Sequence, residues 1–153
     1  TIPIKIKSRW FILNERIKKI VAYYTKKFDT HNPFKIADAL GILYQIGDIG
    51  CDGCYMFLKN HRYIFLNQDL SEHDMDLVMA HELGHAILHR KQNCYFIRNK
   101  TLLLNSKTER EANKFAIELL VPNEIILENW QYTISQLSRL TDYDEKLIKL
   151  RLQ

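Results

Sequence analysis

His81-Glu82-Leu83-Gly84-His85 is an H-E-x-x-H motif, and the residues around it suit a helix. On a helix, side chains four residues apart lie on one face, so both imidazoles can reach one metal ion with zinc–nitrogen bonds of about 2.0–2.1 Å. Glu82 points away from that face and can act on a water molecule, as zinc hydrolases require. The alternative is a pair of hydrogen-bonded core histidines on a buried helix.

The motif lies within a helix predicted to begin after Ser71 and to run to about Arg90. Ser71 and Asp74 form a weak capping pair at its start. The next helix is predicted to start at Ser106, and Pro122 ends or interrupts it.

The third metal ligand is predicted to be a carboxylate of this second helix, because catalytic zinc sites usually have three protein ligands. Glu109 lies at the edge of the helix's apolar face, whereas Glu111 points away from that face. His89 lies one turn beyond His85. Because His81 and His85 already occupy the two successive helical turns that face the metal, His89 is expected around the site and not among its ligands. Asn113, one turn after Glu109, can hydrogen-bond a liganding histidine.

Glu109 also has a simpler interpretation. The pattern Ser106-x-x-Glu109 is a capping box, in which the glutamate closes the start of the helix. Two histidines that lack a third ligand favour the metal role. Ala112 and Ala116 on the same face are small enough to let the two helices approach closely.

The rest of the chain predicts an α+β domain, with helices before and after a small sheet. Helices are expected at about 10–28 and 33–40, followed by an antiparallel three-stranded meander. The tail after Pro122 has helical apolar spacing. We therefore expect a domain that carries the H-E-x-x-H motif at residues 1–122, and a C-terminal helical extension of the same compact unit at 123–153. The three predicted strands are Ile42–Ile46, Cys54–Leu58 and Tyr63–Leu66.

Composition suits one compact domain, since 46% of the 153 residues are hydrophobic. The net charge is +4, and many of the basic residues lie near the N-terminus. We interpret these residues as the solvated face of a helix in preference to a nucleic-acid-binding site. No membrane span or signal peptide is evident, and only three cysteines occur, which predicts a cytoplasmic protein. Cys51 and Cys54 are interpreted as flanks of an Asp-Gly turn, with a metal or redox role as the alternative.

The motif segment from Val78 to His89, followed by Glu109-x-x-Ala-Asn-x-Phe-Ala-x-Glu-Leu-Leu-Val-Pro122, resembles the ImmA/IrrE family of metallopeptidases. The resemblance extends over residues 30–122. It implies a gluzincin-like site with one zinc ion per chain. Within that site His81, His85 and Glu109 match the ligands and Glu82 the catalytic glutamate.

The resemblance also implies a partner. Similar members cleave helix-turn-helix repressors of phages or conjugative elements, so a separately encoded repressor is the expected substrate. The tail around 137–148 has only a weak helix-turn-helix pattern, and direct nucleic-acid binding is not expected. The other hypotheses are a metal-binding regulator with little proteolysis and a DNA-binding module. Four side chains could stabilise the oxyanion: Tyr55, His61, Tyr63 and Tyr95.

Overall fold

The computed structural model describes residues 4–96 and 106–153, with side chains described for 14–93 and 106–153. Within these ranges the chain forms seven helices and four strands, which confirms the α+β class. The first half comprises α1 (Ile4–Phe28), α2 (Pro33–Ala39), β1 (Leu43–Gly47), β2 (Gly53–Leu58), β3 (His61–Asn67) and α3 (Glu72–Leu88). It is followed by β4 (Cys94–Phe96), α4 (Lys107–Leu120), α5 (Asn123–Glu128), α6 (Ile134–Thr141) and α7 (Glu145–Leu152).

The sheet is mixed, and the predicted three-stranded antiparallel meander is wrong. The strand order is β1-β3-β2-β4, with β1 parallel to β3 and the other pairs antiparallel. β2 and β3 form a true hairpin, whose turn residues Lys59 and Asn60 both have positive φ. The link from β1 to β2 instead crosses the end of β3. There the Asn67 side chain donates hydrogen bonds to the carbonyls of Ile49 and Cys51 and holds the link in place.

The two predicted site helices begin where the sequence indicates. Ser71 caps α3 by accepting a hydrogen bond from the Asp74 backbone N–H, and Ser106 caps α4 at Glu109 in the same way. α3 lies between the sheet and α4, and its central residues, from Val78 to Ala86, are buried. The main apolar core therefore surrounds the H-E-x-x-H motif on all sides except the one where its polar groups converge.

Gly84 allows α3 and α4 to pack closely. A Cβ atom at this position would lie 3.2 Å from the Cα and carbonyl oxygen of Ala112 and 3.2 Å from the Cβ of Phe115. The first two contacts are with backbone atoms, which cannot rotate away as a flexible side chain can. The small residue inside the motif thus sets the distance between the helices that carry the polar site residues.

Gly84→Ala is expected to destabilise the fold although alanine is the better helix former. Overpacking costs about 1–3 kcal/mol, while the gain in helix propensity is about 1 kcal/mol. We expect a net loss of about 1 kcal/mol in the free energy of unfolding, measured by urea denaturation. Gly47→Ala is the control, because no atom lies within 4 Å of a Cβ built there. Equal or higher stability of Gly84→Ala would contradict the close packing.

α4 has a second buried face, which the sequence pattern does not predict. Lys114 is fully buried, and its ammonium group lies 2.7 Å from the carboxylate of Glu118. The same ammonium donates to the carbonyls of Leu150 and Arg151 near the end of α7. The Arg151 guanidinium also lies 3.4 Å from Glu118. The charged side of α4 is therefore covered by the returning tail.

The tail forms a smaller apolar cluster on the same side. Leu137, Leu147 and Ile148 are buried there against Ile117 and Val121 of the α4 region. Thr133 begins α6 with a complete capping box. No helix in the described residues is long and apolar enough to cross a membrane.

Candidate metal centre

The two histidines of the motif lie on one face of α3, as their spacing predicts. Their side chains are buried, with 0% of His81 and 1% of His85 exposed. The two Nε2 atoms are 3.1 Å apart. The helix therefore directs two potential ligand atoms to one point.

Glu109 supplies a carboxylate at that same point. One of its oxygens lies 3.0 Å from His81 Nε2, and the other lies 3.0 Å from His85 Nε2. Its backbone N–H meanwhile donates to the Ser106 hydroxyl, so this residue both belongs to the helix cap and reaches the histidines. Only the Ser106 half of the predicted capping box is therefore present, because the Glu109 carboxylate lies at the two histidines.

The other ring nitrogens determine which atoms face Glu109. The Nδ1–H of His81 donates to Asn113 Oδ1 at 2.8 Å, and the Nδ1 of His85 lies 3.0 Å from His89 Nδ1. A neutral imidazole carries one proton, so a proton on Nδ1 leaves a lone pair on Nε2. Two lone pairs and a carboxylate then converge, which is the arrangement of ligands that a cation requires.

Hydrogen bonding alone does not account for this cluster. If both imidazoles also donated to Glu109, both would be cations, with nitrogen atoms 3.1 Å apart. Burial lowers the pKa of His85, which opposes such charging. Burial alone would raise the pKa of Glu109, whereas its contacts with His81 and His85 lower that pKa when the imidazoles donate to it.

The geometry of the three side chains fits a zinc ion. Two ligands of a tetrahedral zinc with bonds of about 2.0–2.1 Å lie about 3.3 Å apart. The observed separations of 3.0–3.1 Å are close to this value and require only small side-chain shifts. Within the described part of the chain, His81, His85 and Glu109 form the one group of three or more side chains that could hold a metal ion.

Glu82 is fully buried beside this group. Within the described residues neither of its carboxylate oxygens has a hydrogen-bond partner. Burial, and then the nearby charge of Glu109, raise its pKa well above the usual value. An uncompensated buried carboxylate of this kind is costly in a purely structural role and is typical of a group that exchanges protons during catalysis.

The strand beside α3 packs closely against Val78 of that helix because the strand begins with glycine. A Cβ on Gly53 would lie 2.5 Å from Val78 Cγ1 and 3.5 Å from Glu82 Cγ. The Asp-Gly turn thus borders Glu82, a proximity that turn propensity alone does not reveal.

The neighbouring cysteines are not part of a second metal group in the described residues. The Cys51 thiol contacts the Gly53 carbonyl, in line with its interpretation as a turn flank. Burial, then Cys51 and Glu82, raise the pKa of the Cys54 thiol to about 11, so this thiol is protonated at neutral pH. The Cys94 side chain lies outside the described residues.

His89 lies beside the site, as its spacing predicts, whereas Glu111 does not point to solvent as its helical phase predicts. Glu111 was expected to point away, but only 8% of it is exposed, and its carboxylate accepts a 2.6 Å hydrogen bond from His89 Nε2. His89 in turn contacts His85. Glu111 and His89 lie on two separate helices, so no local sequence pattern predicts their contact.

The oxyanion candidates are dispersed in the structure. The Tyr55 hydroxyl donates to the carbonyl of Arg90, at the end of α3. His61 and Tyr63 pack edge to face on β3, with ring centroids 6.3 Å apart. The side chain of Tyr95 lies outside the described residues.

An H-E-x-x-H helix packed on a mixed sheet, with a glutamate from the following long helix, defines the zincin class of metallopeptidases. Comparison with known families agrees with this geometry. Residues 30–143 match the peptidase M78 model, described as the IrrE N-terminal-like domain. The chain therefore belongs to the ImmA/IrrE family of metallopeptidases.

Two relatives illustrate the relationship. The chain is 32% identical over 139 residues to the uncharacterized immunity region protein 2 of Bacillus phage phi105, with 88% of each chain covered. It is 31% identical over 119 residues to the metallopeptidase ImmA of Bacillus subtilis (strain 168), which covers 76% of this chain and 69% of the relative. The resemblance predicted from the two motifs is thus confirmed.

Proposed function

We propose that this chain is a zinc-dependent endopeptidase that cleaves a helix-turn-helix repressor of a phage or mobile element. The convergence of His81, His85 and Glu109 beside the buried Glu82 is the observation that carries the proposal. Those three side chains are the proposed ligands of one zinc ion per chain. Asn113 orients His81 through its Nδ1–H.

The chemistry follows from the positions of these side chains. A zinc ion held by His81, His85 and Glu109 would supply a Lewis acid, able to lower the pKa of a water molecule to about 7 and to polarise a carbonyl oxygen. Glu82 takes a proton from the attacking water as general base and later delivers it to the leaving amine. Its burial keeps bulk water from competing for that proton.

The proposed substrate is a specific protein. The phage relative is named an immunity region protein, and the family resemblance implies a repressor as the substrate. A cytoplasmic protease must also spare the proteins around it. Selective cleavage needs contacts beyond the scissile bond, and their binding energy helps to place the carbonyl at the metal.

Recognition is assigned to the parts that the metal site does not use. We propose that residues 1–122 form the metallopeptidase domain and that 123–153 extend the same unit. The tail exposes a group of large apolar side chains, and α1 carries basic residues along its length. The exposed members in the tail are Leu127, Trp130, Tyr132, Leu140 and Leu152.

Cleavage assays test the proposal directly. The purified chain, loaded with zinc, is expected to cut the repressor encoded beside its gene at one or a few bonds, and EDTA should abolish this cleavage. Casein and short peptide libraries should be cut poorly. Metal-dependent digestion of casein as efficient as that of the repressor would contradict the proposed selectivity, and absence of any metal-dependent cleavage would contradict the proposed activity.

A further inference from the structure

A chain of hydrogen bonds leads away from the metal site through His89 and Glu111, which are not among the three proposed ligands. His85 Nδ1 lies 3.0 Å from His89 Nδ1, and His89 Nε2 lies 2.6 Å from a carboxylate oxygen of Glu111. His89 and Glu111 are 8% exposed, while His85 is 1% exposed. The chain therefore connects α3 to α4 through the interior, beside the contact between His85 and Glu109.

With a metal ion on His85 Nε2 and a neutral His89, the protons of this chain have one consistent placement. Glu111 is an acceptor, so His89 must donate from Nε2, which leaves its Nδ1 with a lone pair. That lone pair can accept only if His85 carries its proton on Nδ1. The Nε2 of His85 is then free of hydrogen and faces His81 and Glu109.

We propose that His89 and Glu111 are positioning residues that hold His85 in the Nδ1–H tautomer and direct its Nε2 to the metal. This inference rests on the metal site proposed above. Ligand histidines commonly donate their second ring nitrogen to a fixed acceptor, and loss of that acceptor typically weakens metal affinity about 10–100-fold. Here the acceptor is itself an imidazole, oriented by a carboxylate on the helix that also bears Glu109.

A structural ion pair is the competing explanation. The second oxygen of Glu111 lies 3.8 Å from the ammonium of Lys107, whose side chain is 74% exposed, so that pair adds little. If His89 and Glu111 serve only to join the helices, their removal should lower stability and leave the metal's coordination unchanged. The two explanations therefore predict different metal affinities and different visible spectra of bound cobalt, as well as different activities.

Metal titrations of full-length variants separate these explanations. Zinc affinity is measured by competition with a chromophoric chelator, and the cobalt-substituted protein is followed by its visible absorption. Glu111→Leu removes the acceptor and is expected to weaken zinc binding about 10–100-fold and to alter the cobalt spectrum. Glu111→Gln keeps an acceptor for His89 and should retain most of the affinity and the original spectrum.

His89→Phe keeps the ring shape without either nitrogen and should behave like Glu111→Leu. The matched control is His73→Phe on the same helix, since His73 stacks on Tyr143 far along α3 and contacts the Asp142 carbonyl instead of a ligand. The control should bind zinc as the unmodified chain does. Unchanged affinity and cobalt spectra in both His89→Phe and Glu111→Leu would overturn the proposal.

The tautomers can be measured without any substitution. In 15N spectra of the zinc-loaded, imidazole-labelled protein, we expect His85 to carry its proton on Nδ1 and His89 on Nε2. A proton on Nδ1 of His89 would overturn the proposed chain even if every variant failed to fold. If the unmodified chain bound no zinc, the proposed function itself would fall. Zinc binding without the predicted tautomers would remove only this inference.

Discussion

Replacing Glu82 with glutamine is expected to reduce proteolysis by about two orders of magnitude or more, the scale of lost general-base catalysis. The amide has nearly the same size but cannot accept the water's proton at neutral pH. The Glu82 carboxylate makes no hydrogen bond to any described residue, Asn113 and His89 included, so zinc binding and folding should persist. Rates of repressor cleavage and zinc content measured on the same preparations test this expectation.

The control for this substitution is Glu72→Gln, the same change in an exposed residue of the first turn of α3. It should leave cleavage unaffected. Cleavage by Glu82→Gln at the unmodified rate would reject Glu82 as the base.

Glu109→Ala is expected to lose zinc almost completely, because it removes one of three converging ligands. The loss should exceed the roughly 10–100-fold effect of removing a residue that only orients a ligand. Glu111→Ala, two residues away on the same helix, should keep one zinc per chain at millimolar protein concentration and bind it more weakly in dilute titration. Metal analysis after dialysis distinguishes the two. Zinc retained by Glu109→Ala but lost by Glu111→Ala would reverse their assigned roles.

The position of the site could be predicted because it depends on local helical geometry. The i,i+4 spacing places His81 and His85 on one face, and the phase of α4 brings Glu109 toward them. Ser71 and Ser106 mark the helix starts correctly, because capping depends on a few adjacent residues. The roles of the site residues stay predictions until metal binding and cleavage are measured.

The strand pairing could not be predicted in the same way. The hairpin between β2 and β3 is local, but the parallel pairing of β1 with β3 depends on a link that crosses the sheet end. The hydrogen bonds of Asn67 that hold this link join residues 16 and 18 positions apart. A meander is the simplest arrangement of three short strands, and nothing in their individual patterns excludes it.

Helical phase also predicted the wrong environment for the charged side of α4. Phase shows which face is apolar, but it does not show whether another element covers the polar face. Lys114 and Glu118 are buried because α7 returns over them, and Glu111 is buried because His89 reaches it from α3. Each of these contacts joins segments more than 20 residues apart, so a local pattern carries no signal for it.

The two buried faces of α4 have a thermodynamic consequence. Glu109 and Asn113 face the metal centre one turn apart, while Lys114 and Glu118, also one turn apart, hold the end of α7. If a partner bound the tail more tightly in one position of α4 than in another, binding of that partner would change the affinity of the metal centre for its ion. By linkage, the metal would change the affinity for that partner by the same factor. Substrate recognition and metal binding in this chain would then be coupled, so that the substrate affinity could be measured with and without metal, and the metal affinity with and without substrate.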